Sequence, residues 1–291
     1  MATGAMPPAP CLPSRLGCEE DAMTTTTETQ PRPGATLAAM RAAGPLVHCI
    51  TNYVAMGYAA NVLLAAGASP AMLHTPEESG DFARMSGALT VNLGTLSPNW
   101  AEGARVAVAA ANEAGVPWVL DPVAHFISPY RAAITRDLVA RRPALVRGNA
   151  SEIRALGGED ATAKGPDAGD SVAEAEAAAR ALAARTGGVV AVTGDVDYVT
   201  DGTRAARVSG GSPLMTQVTA TGCALTALTG AFLATSRDPF DATIGALALF
   251  SAAGTRAHDV AEGPGSFAPA FLDALAAATP ADLDAVQVAP A

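Results

Sequence analysis

The stretch PWVLDPVAHFISPYRAAITRDLVARRPALVRGNASEI, residues 117–153, decides the fold. It opens on a short apolar run, Pro117–Leu120, and passes into Tyr130–Ala140, whose apolar residues Ile134 and Leu138 stand four apart. A second apolar run follows at Ala144–Val146, and a polar-headed segment starts again at Asn149. Continuous short apolar runs fit strands buried on both faces, and an amphipathic helix between two of them is the connection parallel strands require. Outward from this stretch the alternation repeats. Apolar runs recur at Leu46–Ile50, Ala88–Leu93 and Gly188–Val192, separated by helical spacing at Val54–Ala66, Trp100–Ala114 and Ser171–Arg185. The reading is an α/β fold: a mainly parallel central sheet with helices on both faces. Asp195–Val208 alternates around Asp201-Gly202 and reads as a β-hairpin. Cys223–Ala234, Ala242–Ala261 and Ser266–Ala278 form a C-terminal helical segment. Residues 1–34 carry TTTTET and PRPG without an apolar period, so a disordered extension is expected there, with residues 35–291 forming one domain.

Composition narrows the function. The 291 residues include 28 acidic and 18 basic side chains, a net charge of −10, with 49% hydrophobic and 16% charged residues. That hydrophobic content excludes a disordered chain. The absence of a basic run excludes nucleic acid as a partner, because phosphate-backbone binding draws on clustered Lys and Arg. No uninterrupted apolar stretch reaches the roughly 18 residues of a membrane span, and the first thirty residues lack a signal-type apolar core, so a cytoplasmic protein is expected. Cys11, Cys18, Cys49 and Cys223 show no metal-ligand spacing and read as reduced thiols. An anionic substrate would have to be held locally, by backbone N–H groups, a metal or a single Arg. Lys164, the only lysine, stands in a polar loop and is either an anion contact or a solvated charge. The chain has no Walker pattern, no GxGxxG and no GxSxG, which disfavours P-loop NTPases, dinucleotide enzymes and α/β-hydrolases.

In a parallel sheet, ligands bind at the carboxyl ends of the strands. Five such ends carry candidate chemistry. Val218-Thr-Ala-Thr-Gly-Cys-Ala224 precedes an apolar helix, and its small residues let N–H groups from Ala220, Thr221, Gly222 and Cys223 converge on one point. A helix N-terminus adds about half a positive charge there, which makes an anion hole and is expected to lower the Cys223 thiol pKa. An ordinary helix start with a small buried Cys fits the same residues. Asp121 ends one apolar run, while Arg147 and Glu152 flank the end of another. Asp121 and Glu152 suit a hard cation such as Mg²⁺, and Arg147 suits phosphate oxygens. Turn, cap and first-turn roles account for each of these singly. Thr193 follows a further run, Asn52 follows the first, and Met72 stands beyond it in Ala68-Ser-Pro-Ala-Met72, where it lines either a pocket or the core.

The stretches PLVHCITNYVA, NVLLAAGASPAM, VNLGTLS, WVLDPVA, VRGNASEI, AVTGDVDYVTDG, PLMTQVTATGCALTALTGAF and EGPGSFAPAFLDAL run in order from Pro45 to Leu275. Together they resemble the 4-methyl-5-(2-hydroxyethyl)thiazole kinases of the ribokinase-like superfamily. The resemblance implies ATP-dependent phosphorylation of the hydroxyethyl group of the thiazole moiety of thiamine, a salvage step. It also implies Mg²⁺ and a homotrimer with active sites between subunits. Carried over by position, Met72 is the thiazole-contacting Met, and Asn52 lies in the TN motif. Arg147 and Thr193 are nucleotide positions, and Asp121 and Glu152 lie near metal and phosphates. Cys223 stands where related kinases carry an Asp base. Two departures stand out: Ala220 replaces the usual Gly of the GTGC-like loop, and Ala124-His125-Phe126-Ile127 replaces a Gly-rich run. The alternatives are a kinase for another small alcohol (a hydroxymethylpyrimidine or a sugar), a non-catalytic thiazole- or nucleotide-binding protein, and a nucleotide-dependent dehydratase.

Overall fold

Six strands of one sheet run parallel: β1 (Leu46–Ile50), β2 (Ser69–Ala71), β3 (Ala88–Asn92), β4 (Trp118–Asp121), β5 (Leu145–Asn149) and β6 (Val189–Thr193). The antiparallel strands β7 (Val196–Thr200), β8 (Ala205–Ser209) and β9 (Val288–Pro290) extend it, giving the order β2-β1-β3-β4-β5-β6-β7-β8-β9. These elements come from a computed structural model, which describes Met1, residues 32–158 and residues 171–291. Among the described residues, all secondary structure lies in one compact unit, Pro31–Ala291.

Helices cover both faces, as the sequence pattern implies. One face packs α1 (Pro33–Ala43), α2 (Met56–Ala66), α8 (Thr221–Leu233), α9 (Pro239–His258), α10 (Pro264–Ala277) and α11 (Pro280–Asp284) on a core that includes Leu37, Val47, Phe232, Phe267 and Phe271. The other packs α3 (Pro76–Met85), α4 (Pro98–Ala114), α5 (Pro129–Ala140), α6 (Ala150–Gly157) and α7 (Val172–Thr186) around Trp100, Trp118, Leu120 and Leu182. The hairpin forms as expected, with Thr200 paired to Ala205 across the Asp201-Gly202 turn. Among the described residues, no helix is long and apolar enough to cross a membrane.

The differences from the sequence reading have a common cause. Helices α4, α5, α9 and α10 begin at Pro98, Pro129, Pro239 and Pro264, one to three residues earlier than their apolar spacing indicates. Proline has its φ preset for the first helical position and needs no donor there, so it starts a helix that periodicity sees only later. Proline also starts α1, α3 and α11, elements the periodicity did not mark. Of the expected extension, residues 2–31 lie outside the described residues, whereas Pro33 and Gly34 are buried in the first turn of α1. Lys164, Cys11 and Cys18 also lie outside the described residues. The strand ends shift as well. Asp121 and Thr193 are the last residues of β4 and β6, and Arg147 lies within β5 rather than beyond it.

Candidate active site

A single row of polar side chains crosses five neighbouring strands near their carboxyl ends. Asn52 follows β1, Asn92 ends β3 directly opposite Asp121 of β4, Arg147 lies in β5, and Thr193 ends β6. Asn52 Nδ2 donates to Asn92 Oδ1 at 2.8 Å, and Asn92 Nδ2 donates to Asp121 Oδ2 at 2.7 Å. Arg147 Nη1 lies 3.6 Å from the same Asp121 oxygen, and its Nη2 donates to Thr193 Oγ1 at 2.5 Å. The parallel register aligns these ends, and burial on both faces leaves the row dry except at the rim. Asn52, Asn92 and Asp121 are all buried.

Helix α8 starts over this row. Its N-cap, Ala220, is left-handed at φ 66°, ψ 6°, and it offers no side-chain cap. Thr221 Oγ1 donates to Val218 O at 2.6 Å, so that hydroxyl does not cap the helix either. The first amides, of Thr221, Gly222 and Cys223, are therefore free for a ligand, whereas the Ala224 amide is already bonded to Ala220 O at 2.9 Å. Gly222 lets Arg147 approach: a Cβ there would stand 2.8 Å from Nη1 and would make the guanidinium move. One turn further, Thr226 Oγ1 donates to Asp121 Oδ2 at 2.8 Å. Cys223 Sγ receives Asn52 Nδ2 at 3.4 Å. Of the four residues expected to form the anion hole, Gly222 lies against Arg147, and Cys223 feels the charges of Asp121 and Arg147.

The charges here are unusual. Burial raises the Asp121 carboxyl above the ordinary range, and burial together with the charge of Asp121 raises Glu152. The expected lowering of the Cys223 thiol does not occur. Burial first, then the neighbouring Asp121 charge, pushes it up to about 11, against the opposing pull of Asn52, Arg147 and Asn92. Arg147 Nε is buried and has no acceptor. A buried guanidinium N–H without a partner is costly, and an anion laid against Arg147 and the α8 amides would satisfy it.

Asp121 and Glu152 are close enough to affect each other's titration, but they are differently occupied. Glu152 Oε1 accepts the Ala124 amide and Oε2 the Asn149 amide, each at 2.8 Å. Asp121 Oδ1 accepts only one long bond, from the Val123 amide at 3.4 Å. Among the described residues, no group of three or more His, Cys, Asp or Glu is placed to hold a metal. Two carboxylates beside a phosphate site nonetheless fit Mg²⁺, which keeps several waters and takes one or two carboxylates plus substrate phosphates.

Met72 does not join the row. It lies just beyond the edge strand β2, half-buried against the core, and the adjacent Leu73 carbonyl bonds His48 Nε2 at 3.1 Å. His48 itself is buried, and burial lowers its pKa to about 4. The sequence reading missed Asn92 and Thr226 as site residues, along with Asp197, a carboxyl near Arg147 that burial raises to about 6 while it accepts the Gly194 amide at 3.0 Å. A polar residue closing an all-apolar run, as in Val91-Asn92, was the available signal for the first. Thr226 stands three positions after Cys223, which puts both on one face of α8.

Backbone strain gathers around the same rim. Thr95, Val123, Ala124 and Ala220 are non-glycine residues with φ of 37°, 21°, 48° and 66°. Such conformations persist where surrounding contacts fix them, which is common at functional sites. Here the Ala124 amide is held by Glu152, and Thr95 Oγ1 accepts the Tyr53 amide at 3.2 Å.

Comparison with known proteins shows the family. The model of the Hydroxyethylthiazole kinase family matches residues 37–280. A hydroxyethylthiazole kinase of Gemmatimonas aurantiaca is 62% identical over 261 residues, covering 89% of this chain and 94% of the relative. One of Rhizobium etli is 60% identical over 250 residues, covering 86% and 97%. The solved hydroxyethylthiazole kinase protein of Pyrococcus horikoshii superposes with a TM-score of 0.82 at 38% identity, covering 89% of this chain and 98% of that one. An ADP complex of Bacillus subtilis pyridoxal kinase shares the fold at a TM-score of 0.55 and 17% identity, covering 72% and 90%. With its fold, its polar row and these relatives taken together, the chain belongs to the hydroxyethylthiazole kinase family.

Proposed function

We propose that this chain transfers the γ-phosphoryl group of ATP to the primary hydroxyl of 4-methyl-5-(2-hydroxyethyl)thiazole, the thiazole salvage step of thiamine synthesis. The observation that carries the reading is the uncapped start of α8, whose amides from Thr221 to Cys223 lie against Arg147 and beside Asp121. Phosphoryl transfer asks little covalent work of a protein; positioning and charge stabilisation dominate. The α8 amides and Arg147 hold the phosphoryl oxygens, with Arg147 Nε gaining an acceptor. Arg147 and Thr193 face the nucleotide. Cys223, Asn52, Ala220 and Met72 face the alcohol. With its pKa near 11 the Cys223 thiol stays protonated at neutral pH, so it orients the hydroxyl and does not deprotonate it. A loose transition state needs no strong base, because the alcohol loses its proton late. Mg²⁺ would be held by Asp121 and Glu152 and would neutralise charge on the phosphates.

Met72 stands at an edge strand, and Tyr53, Val54 and Leu64 of the neighbouring loop and α2 are exposed. Large exposed apolar side chains beside an unpaired edge support a homotrimer in which an adjacent subunit completes the thiazole site. On this reading the protein acts in the cytoplasm, beside the ATP it consumes. Incubation with Mg-ATP and the thiazole alcohol, followed by chromatography, yields the thiazole phosphate. A hydroxymethylpyrimidine or ribose in its place is turned over at least about 100-fold less efficiently, a discrimination of about 2.7 kcal/mol. Binding of ATP without any product would leave a nucleotide-binding protein instead.

A further inference from the structure

The two amides of the polar row can be oriented without ambiguity, because each has a side that only donors approach. Asn52 meets the Val54 and Ala55 amides, both at 3.0 Å, on one side. That side is its oxygen, so its NH₂ faces Asn92 and Cys223 Sγ. Asn92 in turn meets that NH₂ and the Gly94 amide, at 2.8 and 3.0 Å, on one side. That side is again oxygen, so the Asn92 NH₂ faces Asp121 Oδ2. The Thr226 hydroxyl and Arg147 Nη1 approach the same Asp121 oxygen. The row therefore has a fixed direction: backbone donors at the α2 end, an acceptor carboxylate at the β4 end, and no side chain free to flip. An Asn at position 92 is the one common side chain that accepts on its Asn52 side and donates on its Asp121 side at this length.

We propose that Asn92 is a positioning residue for the phosphoryl transfer described above. Its NH₂ fastens Asp121 by Oδ2 and so leaves Oδ1 turned to the reacting groups. Its oxygen fixes the Asn52 amide, which makes Cys223 Sγ an acceptor and leaves the thiol hydrogen free for the alcohol. The role rests on the kinase reading for its chemistry, whereas the direction of the row rests on geometry alone. Gly94 belongs to the same device, since a Cβ there would stand 2.6 Å from Asn52 Nδ2.

The experiment compares N92A, N92D and the swap N92D/D121N by thermal melting, by calorimetric ATP binding and by steady-state turnover. N92D keeps the shape but sets two carboxylates face to face. It should melt below N92A, and N92D/D121N, which restores a donor–acceptor pair in reverse, should melt above N92D. N92A should lose at least about 30-fold in kcat while ATP affinity stays within about threefold, a split that a merely structural role would not give. N92D/D121N should stay at least about 100-fold down in kcat although its melting is restored. N92D melting like the wild type would overturn the direction. Wild-type kcat in folded N92A, or kcat and ATP affinity falling together, would overturn the positioning role. If the wild type itself makes no thiazole phosphate, the functional reading has failed instead, and the melting order still judges the row.

Discussion

The N-termini of α6 and α8 open onto the same polar row, and they dispose of their backbone donors in opposite ways. At α6, Asn149 Oδ1 accepts the Glu152 amide at 2.9 Å, and Glu152 Oε2 accepts the Asn149 amide in return at 2.8 Å. The other Glu152 oxygen ties in the Ala124 amide of the loop after β4. This end carries a capping box, its N-cap and third amides answered by side chains of the helix itself, and those hydrogen bonds serve stability. At α8 no side chain answers the first amides, and the cap is a left-handed alanine. Donors left open at a helix start hold their partial charge in readiness for an anion. Two helices on one rim thus differ: one end braces the loop beside Asp121, and the other has no side-chain cap among the described residues.

The sharpest way to break this contrast is Gly222→Ala. Gly222 is the second residue of α8, where alanine gains less over glycine than the roughly 1 kcal/mol of an interior position, so α8 itself should hold its stability. The new methyl, however, would lie 2.8 Å from Arg147 Nη1 and drive the guanidinium off the helix start. Displacing one charged donor from a phosphoryl site costs on the order of 100-fold or more in rate. Kinetics should show kcat/KM for ATP falling by at least about that factor with an unchanged or higher melting temperature. Wild-type kinetics would mean that Arg147 does not work against the α8 amides.

Glu152→Ala tests the closed end and should act on stability, in addition to any loss of turnover from its proposed place at Mg²⁺. The Ala124 and Asn149 amides both lose their acceptor, and each orphaned donor costs about 1–3 kcal/mol. Release from the neighbouring Asp121 charge, which raises the Glu152 carboxyl, returns part of that. A net loss of about 2 kcal/mol, or about 4–8 °C in a domain of this size, is the expected calorimetric result. A smaller change than that of Gly222→Ala would reverse the assignment of roles to the two ends.

The same two ends show what a sequence makes legible. The parallel sheet was readable because Trp118–Leu120 and Val189–Val192 are apolar without a break, as burial on both faces demands. The capping of α6 was readable too, since Asn149 and Glu152 stand at cap spacing. Five residues expected at the site, Asn52, Asp121, Arg147, Thr193 and Cys223, do converge on one rim. Asn92 was not identified, because its importance depends on register. Only the pairing of β3 with β4 sets it opposite Asp121, and register is a tertiary property. The Cys223 thiol was misjudged for a related reason: a helix terminus is visible in a sequence, whereas burial beside Asp121 is not.

The smallest expected effect is the most direct measure of what an open helix end costs. Asn149 caps α6 at φ −76°, ψ 174°, a relaxed extended conformation, while Ala220 starts α8 at φ 66°, ψ 6°. A side chain in the left-handed region costs about 1–2 kcal/mol. Ala220→Gly removes that cost but gives the unfolded chain extra freedom, which offsets about 0.4–1 kcal/mol of it. The net expectation is a gain of about 0.5–1 kcal/mol, a rise of roughly 1–4 °C in melting temperature. Turnover should remain within about twofold, because glycine adopts the same left-handed geometry and leaves the Thr221–Cys223 amides where they are. An unchanged melting temperature would show that the loop carries Ala220 without strain. A fall in turnover alongside a stability gain would show something else: that the alanine methyl, by stiffening this turn, keeps the amides aimed at the phosphoryl group in the absence of any cap.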